Sequence, residues 1–308
     1  RAMPLEAPIR PPTRWRGLLR DSGTVYAVNG LIGFIFAATG PVAVILSVGL
    51  RGGLSESDLA SWIFGAFFLN GLITLLFCWL YRQPLAFFWT IPGTVLVGPA
   101  LDHLSFAQVI GAFVASGVVM LLLGLSGWVR RAMAAVPMPI VMGMVAGVFL
   151  RFGIDLVRSL PEDAAIAAPM VIAFLLLNAS PRLGRRLPPM LGALVVGALA
   201  VALSGRFAPE LSAASVLAHP NLYAPEWSLQ AMVELVLPLV VTVLVVQNGQ
   251  GVAVLQAAGH AAPINAVTFA CGAGSIVPAF VGTVSICLTG PTNAIISSAG
   301  ERERHYTG

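Results

Sequence analysis

Apolar stretches of membrane-spanning length follow one another along this sequence, and two of them are interrupted by proline and glycine. About 20 apolar residues carry a helix across the hydrocarbon core of a bilayer. Because 57% of the residues are hydrophobic and 10% are charged, the composition excludes an ordinary soluble domain. We expect an all-α polytopic membrane protein with eight uninterrupted segments. They lie near residues 25–50, 59–80, 106–125, 140–154, 165–177, 190–203, 229–246 and 262–274.

The two interrupted segments are residues 87–94 and 284–293, which contain Pro92-Gly93 and Gly290-Pro291. A broken helix frees backbone groups that lipid cannot satisfy, so breaks persist only inside protein or beside a polar cavity. Each segment predicts a short strand that leads into a half-helix, over 94–101 and 292–299. Two broken segments at corresponding places in two halves indicate a transporter with a midplane substrate site. Simple kinks in packed helices are the alternative.

The spacing of the breaks predicts an inverted repeat. Each break follows two full crossings, and an odd number of segments precedes residue 229, so the second half would enter from the opposite face. We expect a 7+7 design of which this sequence holds about ten segments and lacks the last four. The predicted parts are a tail (1–22), a first repeat of segments 1–7 (23–205), an external connection (206–228) and an incomplete second repeat of segments 8–10 (229–308).

Arginine placement predicts the orientation, because basic loops stay on the cytoplasmic side. All 17 basic residues are arginine, and most fall on the side of the N-terminal tail when each broken segment counts as one crossing. The exceptions are Arg51, Arg151, Arg158 and Arg206. We therefore expect a multi-pass protein with a cytoplasmic N-terminus. The net charge of +4 is then a topology signal and does not indicate a nucleic-acid partner.

Candidate substrate-binding residues are the small and polar residues at the breaks, at the centre of segment 1 and late in segment 8, the equivalent helix of the second repeat. Helix N-termini at the breaks would offer N–H groups and positive dipole ends to a ligand. The candidates are Thr39, Gly40, Gly93, Thr94, Gln247, Asn248, Gly249, Thr292 and Asn293. Phe36 and Trp89 are candidates for contact with an aromatic ring. Hydrogen bonds between helices and ordinary packing are the alternative roles of these residues.

Glu234 is the only acidic residue well inside a predicted segment. Carboxylates within membranes often mark proton pathways, so Glu234 is a candidate for proton coupling, with capping near the outer end as the alternative. We expect no cofactor and no metal, since the three cysteines lack ligand spacing. The sequence contains no HExxH, no GxSxG and no pair of intramembrane acids, which leaves a membrane-embedded enzyme as a remote alternative.

Three runs of this sequence resemble a known family. Residues 29–43, 88–94 and 247–255 are similar to the benzoate/proton symporter (BenE) family of bacterial inner membranes, and the likeness extends through essentially the whole chain. It implies proton-coupled uptake of benzoate or a similar aromatic carboxylate across the inner membrane. The resemblance also implies relatedness to nucleobase and anion transporters, with a core made of segments 1–4 and 8–10 that moves against a gate made of segments 5–7.

One departure bears on the substrate. Nucleobase relatives carry an acidic residue near the position of Gln247, whereas this sequence has a neutral amide there. An anionic ligand would be repelled by a carboxylate, so the amide favours an acid over a base. Another small anion or a nucleobase on the same scaffold, carried by a transporter or a channel, remains the alternative. A homodimer is left open.

Overall fold

The computed structural model describes residues 5–135, 137–180, 183–184, 187, 189–205 and 219–308. The described residues fall into two compact units. One lies within Arg1–Met142 and Leu217–Gly308, and the other within Gly143–Val216. Each unit is described by itself.

The first unit is a bundle of helices around two short strands. Its elements begin with the helices α1 (Trp15–Asp21), α2 (Thr24–Arg51) and α3 (Glu56–Tyr81), then strand β1 (Phe87–Trp89), and then the helices α4 (Ile91–Leu101), α5 (Phe106–Ser126) and α6 (Trp128–Ala134). Helix α7 (Met138–Glu162) follows, and the boundary between the two units falls within it, after Met142. The chain continues in the first unit with α10 (Leu229–Ala257), α11 (Ile264–Ala279), β2 (Ile286–Leu288) and α12 (Gly290–Ile296).

The second unit contains two apolar helices packed side by side. These are α8 (Ala164–Ala179) and α9 (Pro189–Leu203). Gly197 of α9 lies against the Met170 side chain of α8. The absence of a side chain at Gly197 therefore allows the two helices to approach closely, as small residues do in membrane interfaces.

The expected apolar segments are helical, and among the described residues four helices are long and apolar enough to cross a membrane: α2, α3, α5 and α10. Helices α4, α8, α9 and α11 are shorter apolar helices. Local signals explain several boundaries. Ser55 and Ser105 each form a capping box, with Asp58 and Gln108 respectively, at the starts of α3 and α5. Gly127 adopts a left-handed conformation (φ 73°) where α5 ends.

Three wider, π-helical stretches interrupt the long helices. One is Gly65–Leu69 within α3, and the others are Met232–Val236 and Thr242–Gln247 within α10. Such stretches insert an extra residue into a helical turn and recur at functional sites. Two of these stretches have a buried carboxamide at their C-terminal end: Asn70 follows the first, and Gln247 is the last residue of the third.

Helices α5 and α11 form a close backbone contact that small residues permit. A Cβ atom at Gly272 would lie 2.6 Å from Leu121 Cα, and one at Gly124 would lie 2.7 Å from the backbone nitrogen of Phe269. Real Cβ atoms do not approach so closely. Packing at this distance replaces side-chain interdigitation with direct backbone contact, which holds helices together in membranes where no hydrophobic driving force acts between them.

A hydrogen-bonded cluster fastens the connection before α10 to the start of α3. The Tyr223 hydroxyl donates to the Asp58 carboxylate, and Asn221 donates to Ser57 Oγ (2.8 Å). The Ser61 hydroxyl donates to the Val281 carbonyl (2.8 Å). Burial, and then the hydrogen bond to Asp58, raise the pKa of Tyr223 to about 12.

We expect Tyr223→Phe to lower the free energy of unfolding by about 1 kcal/mol, because a partly exposed hydrogen bond to a carboxylate is lost. The pKa of Tyr223 is raised in the folded state from an ordinary value of 10. The stabilisation is therefore present in full below pH 10 and declines as the pH rises toward 12. Thermal unfolding of the parent and the variant in detergent between pH 7 and 11 measures the difference in stability between them. A difference that stays constant above pH 10 would contradict the proposed role of the Tyr223 hydroxyl.

Candidate functional site

The two broken segments meet through their strands. β1 and β2 pair antiparallel, with Phe87 opposite Leu288 and Trp89 opposite Ile286. The ladder extends at both ends, because the Thr90 N–H donates to the Ser285 carbonyl (2.9 Å) and the Thr289 N–H donates to the Ala86 carbonyl (3.2 Å). Each segment thereby satisfies the backbone groups that the break in the other exposes, as the interior of a membrane requires.

The first half-helix starts earlier than the sequence predicts. Helix α4 begins at Ile91, and Thr90 caps it by accepting the Gly93 N–H (3.2 Å). Thr94, the predicted first residue, lies inside the helix, and its hydroxyl donates to the Thr90 carbonyl (2.8 Å). The reason is Pro92, which fits the first helical turn because no partner is needed there for its missing N–H. Gly93 packs against Leu239 with no room for a side chain.

The second half-helix is also displaced from its predicted range. Helix α12 spans Gly290–Ile296 where 292–299 was expected, with Pro291 in its first turn. Asn293 accepts the Ala86 N–H with Oδ1 (3.0 Å) and donates to the Ala86 carbonyl with Nδ2 (3.1 Å). Its carboxamide is therefore a bridge between the two broken segments. The Thr292 methyl faces Gly33 of α2.

Asn248 makes an equivalent bridge from α10. Its Oδ1 accepts the Leu288 N–H (2.8 Å), and its Nδ2 contacts Cys271 Sγ (3.4 Å). The adjacent Gly251 lies against the Leu288 carbonyl. Asn248 and Asn293 thus hold the edges of the strand pair.

Three predicted residues keep a free or open side. Gln247 is 9% exposed, and its carboxamide has no hydrogen-bond partner in the described part of the chain. Thr39 is exposed and donates its hydroxyl to the Ile35 carbonyl (2.9 Å). A Cβ atom at Gly40 would meet nothing within 4 Å. Gly249 and Phe36 are half-buried.

The elements that carry the predicted residues pack on one another. α2 contacts α4 and α12, and the end of α10 contacts α12. The π-helical stretch that ends at Gln247 contacts both β2 and α4. The structure therefore brings the two breaks, α2 and Gln247 into one neighbourhood of the first unit.

Aromatic side chains line the neighbourhood on the side of β1. Trp89 is 2% exposed and packs on Phe67, with ring centroids 5.0 Å apart. Phe67 also contacts Phe34 (5.6 Å) and the half-buried Phe88 (6.2 Å). Sequence reasoning missed Phe67, because a phenylalanine within an apolar helix gives no signal of its own.

A second group that sequence reasoning missed consists of buried polar atoms without partners. Asn70 is fully buried, and neither its Oδ1 nor its Nδ2 has a partner in the described chain. The same holds for Trp89 Nε1 and Ser285 Oγ. Phe67 and Thr74 lie on the same face of α3 as Asn70, and both contact β1. Phe67 packs on Trp89, and Thr74 accepts the Phe87 N–H (2.8 Å), so Asn70 lies on the helix face toward β1. The available signal was a carboxamide in the middle of an apolar segment.

Glu234 lies outside this neighbourhood in the π-helical stretch Met232–Val236. Its carboxylate contacts His103 Nε2 (2.8 Å), just beyond the end of α4. Both side chains are partly exposed. The described residues contain no group of three or more His, Cys, Asp or Glu side chains that could hold a metal ion.

The sequence model of the family described as "Benzoate membrane transport protein" matches residues 21–308. The chain belongs to this family. A member named benzoate membrane transport protein, from Acinetobacter baylyi, is 25% identical over 284 residues, which cover 91% of this chain and 70% of that protein. Inner membrane protein YdcO of Escherichia coli is 27% identical over 294 residues, with 94% of this chain and 70% of that protein covered.

Membership of the benzoate membrane transport family accounts for the main features of the chain. Family members are membrane transport proteins, and the apolar helices of this chain fit that class. The chain is therefore a membrane transporter and not an enzyme. The resemblance noted in residues 29–43, 88–94 and 247–255 is confirmed by the family match.

Proposed function

We propose that this transporter carries out proton-coupled uptake of benzoate or a similar aromatic carboxylate across the bacterial inner membrane. The observation that supports it most is the pairing of β1 with β2 beside Gln247. This pairing brings two breaks in apolar segments to one place, next to a carboxamide with free hydrogen-bonding capacity. The names of the two relatives, one a benzoate transport protein and one an inner membrane protein, agree with this substrate and location.

The proposed site divides its candidate residues into two roles. Gln247, Thr39 and Gly40 would contact the substrate, because each keeps a free or open side. The half-buried Gly249 and Phe36, and the buried Thr292 beside Gly33, would complete the wall of the site. Thr94, Asn248 and Asn293 would position the strands and the half-helix, because their side chains are bonded to backbone or to a neighbouring side chain. Gly93 would allow the N-terminus of α4 to approach, and Trp89 would support the aromatic wall.

Binding of a carboxylate here would depend on hydrogen bonds and dipoles. The N-terminus of α4 would contribute up to about 2 kcal/mol, and each charge-assisted hydrogen bond about 1.5–3 kcal/mol. Desolvation of the carboxylate costs several kcal/mol. Since these contributions roughly cancel, burial of the aromatic ring, worth about 1.5–3 kcal/mol, would supply most of the net affinity.

The same proposal includes the architecture and the orientation. The chain would have the 7+7 inverted repeat, divided into a core and a gate, and a cytoplasmic N-terminus. Residues 23–205 would form the first repeat and 229–308 part of the second, joined by 206–228. The separation of Gly143–Val216 as its own unit supports a gate made of segments 5–7. The antiparallel pairing of the two broken segments supports an inverted relation between the repeats. A homodimer is compatible with this arrangement.

Glu234 would take part in proton coupling together with His103. A carboxylate and an imidazole at 2.8 Å can share a proton along one hydrogen bond. The pair lies beyond the C-terminal end of α4. The direct contact between α4 and the stretch that ends at Gln247 gives a short physical connection between this pair and the proposed substrate site.

Uptake of labelled benzoate into proteoliposomes tests the function. We expect accumulation above the external concentration when an inward proton gradient is imposed, and its loss with a proton uncoupler. Accumulation of benzoate that is unchanged by the uncoupler would refute symport. Equilibration of benzoate across the membrane without accumulation would indicate a channel. Excess uracil and excess sulfate serve as competitors, and strong competition by either would assign the site to a nucleobase or another anion.

The coupling pair is tested separately in the same vesicles. We expect Glu234→Gln to lose proton-driven accumulation while it retains exchange of labelled for unlabelled benzoate. Exchange requires substrate binding and movement but no net proton transfer. Normal accumulation by Glu234→Gln would exclude Glu234 from coupling and leave the substrate site untouched.

A further inference from the structure

A separate cavity of about 250 Å³ lies at the end of α3 that is remote from the Tyr223 cluster. It is lined by the N-terminal segment, the end of α3, the turn between α10 and α11, and the segment after α12. The residues that carry the following argument are Arg10, Arg82, Gln83, His260, Arg302 and Glu303.

The cavity has an excess of positive charge and free donors. Arg10 and Arg302 share one carboxylate, Glu303, at 3.3 and 3.1 Å. Arg82 is paired with Asp21 (2.7 Å), but its Nε is buried with no partner in the described chain. Three guanidinium groups carry fifteen N–H donors, of which only a few are used here. An oxyanion is the ligand that such a set of donors recognises.

His260 adds a polar but uncharged edge to this cavity. Burial, then the neighbouring His305 and Arg302, lower the pKa of His260 to about 4. Its Nε2 lies 3.1 Å from His305 Nδ1. At neutral pH the attraction for an anion therefore comes from the arginines.

Gln83 restricts the chemistry further. The residue is 6% exposed, and its Nε2 donates to the Ala261 carbonyl (2.9 Å), while its Oε1 is buried with no partner in the described chain. A free acceptor beside free guanidinium donors fits a ligand that combines an oxyanion with a hydrogen-bond donor. A phosphate group that carries a hydroxyl or lies beside one meets both requirements.

The flanks of the cavity have the character of a membrane interface. Ile9 and Trp15 are 71% and 72% exposed, and they alternate in the N-terminal segment with Arg10, Arg14 and Arg16. Trp79, also exposed, donates to the Thr13 carbonyl (2.9 Å) and holds this segment against the end of α3. Exposed tryptophan beside arginine is typical of the headgroup level of a bilayer.

We propose that this cavity binds the phosphate group of an anionic phospholipid, with phosphatidylglycerol as the best chemical match. The phosphodiester would accept from Arg10, Arg82 and Arg302, and a glycerol hydroxyl would donate to Gln83 Oε1. Free inorganic phosphate shares this chemistry and is the alternative source. Basic pockets at the ends of membrane helices bind lipid headgroups by the same physical means. The site is distinct from the proposed substrate site.

The test compares two double variants of the whole chain in detergent. Arg10→Gln with Arg302→Gln removes two charges from the cavity. Arg14→Gln with Arg16→Gln removes two charges from the same N-terminal segment outside it. Binding of dioctanoyl phosphatidylglycerol, dioctanoyl phosphatidylcholine and inorganic phosphate is measured by thermal shift and by native mass spectrometry. Unchanged thermal unfolding without added lipid shows that each variant folds, as expected for side chains about half exposed.

In the Arg10→Gln, Arg302→Gln variant we expect the dissociation constant for phosphatidylglycerol to rise at least about tenfold, through loss of charge-assisted hydrogen bonds. In the Arg14→Gln, Arg16→Gln variant it should stay within about twofold of the parent value. Phosphatidylcholine should bind the parent more weakly, because its headgroup has no donor for Gln83. If inorganic phosphate alone raised the unfolding temperature as much as phosphatidylglycerol does, the site would be assigned to the free anion. The proposal is overturned if both double variants lose affinity equally, or if phosphatidylcholine binds the parent as tightly.

Discussion

Gln247→Glu is expected to abolish uptake of an aromatic carboxylate at neutral pH. Gln247 is nearly buried and has no partner in the described chain, so a carboxylate there would face the substrate carboxylate across a few ångströms. Two like charges 4 Å apart repel by about 4 kcal/mol at an effective dielectric constant of 20. That energy corresponds to a loss of roughly 10³-fold in affinity. Initial uptake rates over a range of benzoate concentrations measure the loss.

The control for this variant is Gln256→Glu, which places the same charge on the same helix at an exposed position. We expect it to transport normally. Lowering the pH should partly restore the Gln247→Glu variant, since protonation of the new carboxyl removes the repulsion. Normal benzoate uptake by Gln247→Glu at neutral pH would exclude position 247 from contact with the substrate.

Gly272→Ala is expected to lower the free energy of unfolding by about 3 kcal/mol, because overpacking at a rigid contact costs this much. The new Cβ atom would lie 2.6 Å from Leu121 Cα, and a backbone atom cannot move aside as a flexible side chain can. For a chain of 308 residues, we expect the unfolding temperature to fall by roughly 5 °C. Thermal unfolding in detergent and the yield of monodisperse protein measure the effect.

Gly71→Ala is the matched control for this substitution. Gly71 also lies within a membrane helix, but a Cβ atom there would meet nothing within 4 Å. Alanine forms helix better than glycine by about 1 kcal/mol, so this variant should be unchanged or slightly more stable. Equal unfolding temperatures for the two variants would show that the α5–α11 contact yields easily.

Much of the helical architecture could be predicted from the sequence, because hydrophobic length is a local property. The positions of α2, α5 and α9 follow from the apolar runs alone. The two breaks were also predictable, since proline and glycine within apolar segments have few structural explanations. The helix starts at Ile91 and Gly290 were placed two or three residues too late, because the proline–glycine pair predicts a turn before the helix, whereas the proline lies in the first helical turn.

The partners of polar side chains could not be predicted in the same way. Asn248 and Asn293 were chosen as amides near the breaks, but their partners are backbone groups of Leu288 and Ala86, distant in sequence. The register of β1 with β2 determines those contacts, and no local pattern encodes it. His103 was missed for the same reason, because its contact with Glu234 forms only in the folded chain. Asn70 gave a local signal as a carboxamide within an apolar segment, but its lack of a partner is visible only in the folded chain.

The pairing of β1 with β2 has a consequence for biosynthesis. Trp89 pairs with Ile286, which is synthesised about 200 residues later, so the hydrogen bonds between the two strands can form only then. At a synthesis rate of about 5–20 residues per second, this delay is roughly 10–40 s. During that time the first strand has unpaired backbone groups that acyl chains cannot accommodate. Nascent chains of this transporter should therefore remain beside the insertion machinery until the second strand emerges, and the first broken segment should be released into lipid only after both strands have been made.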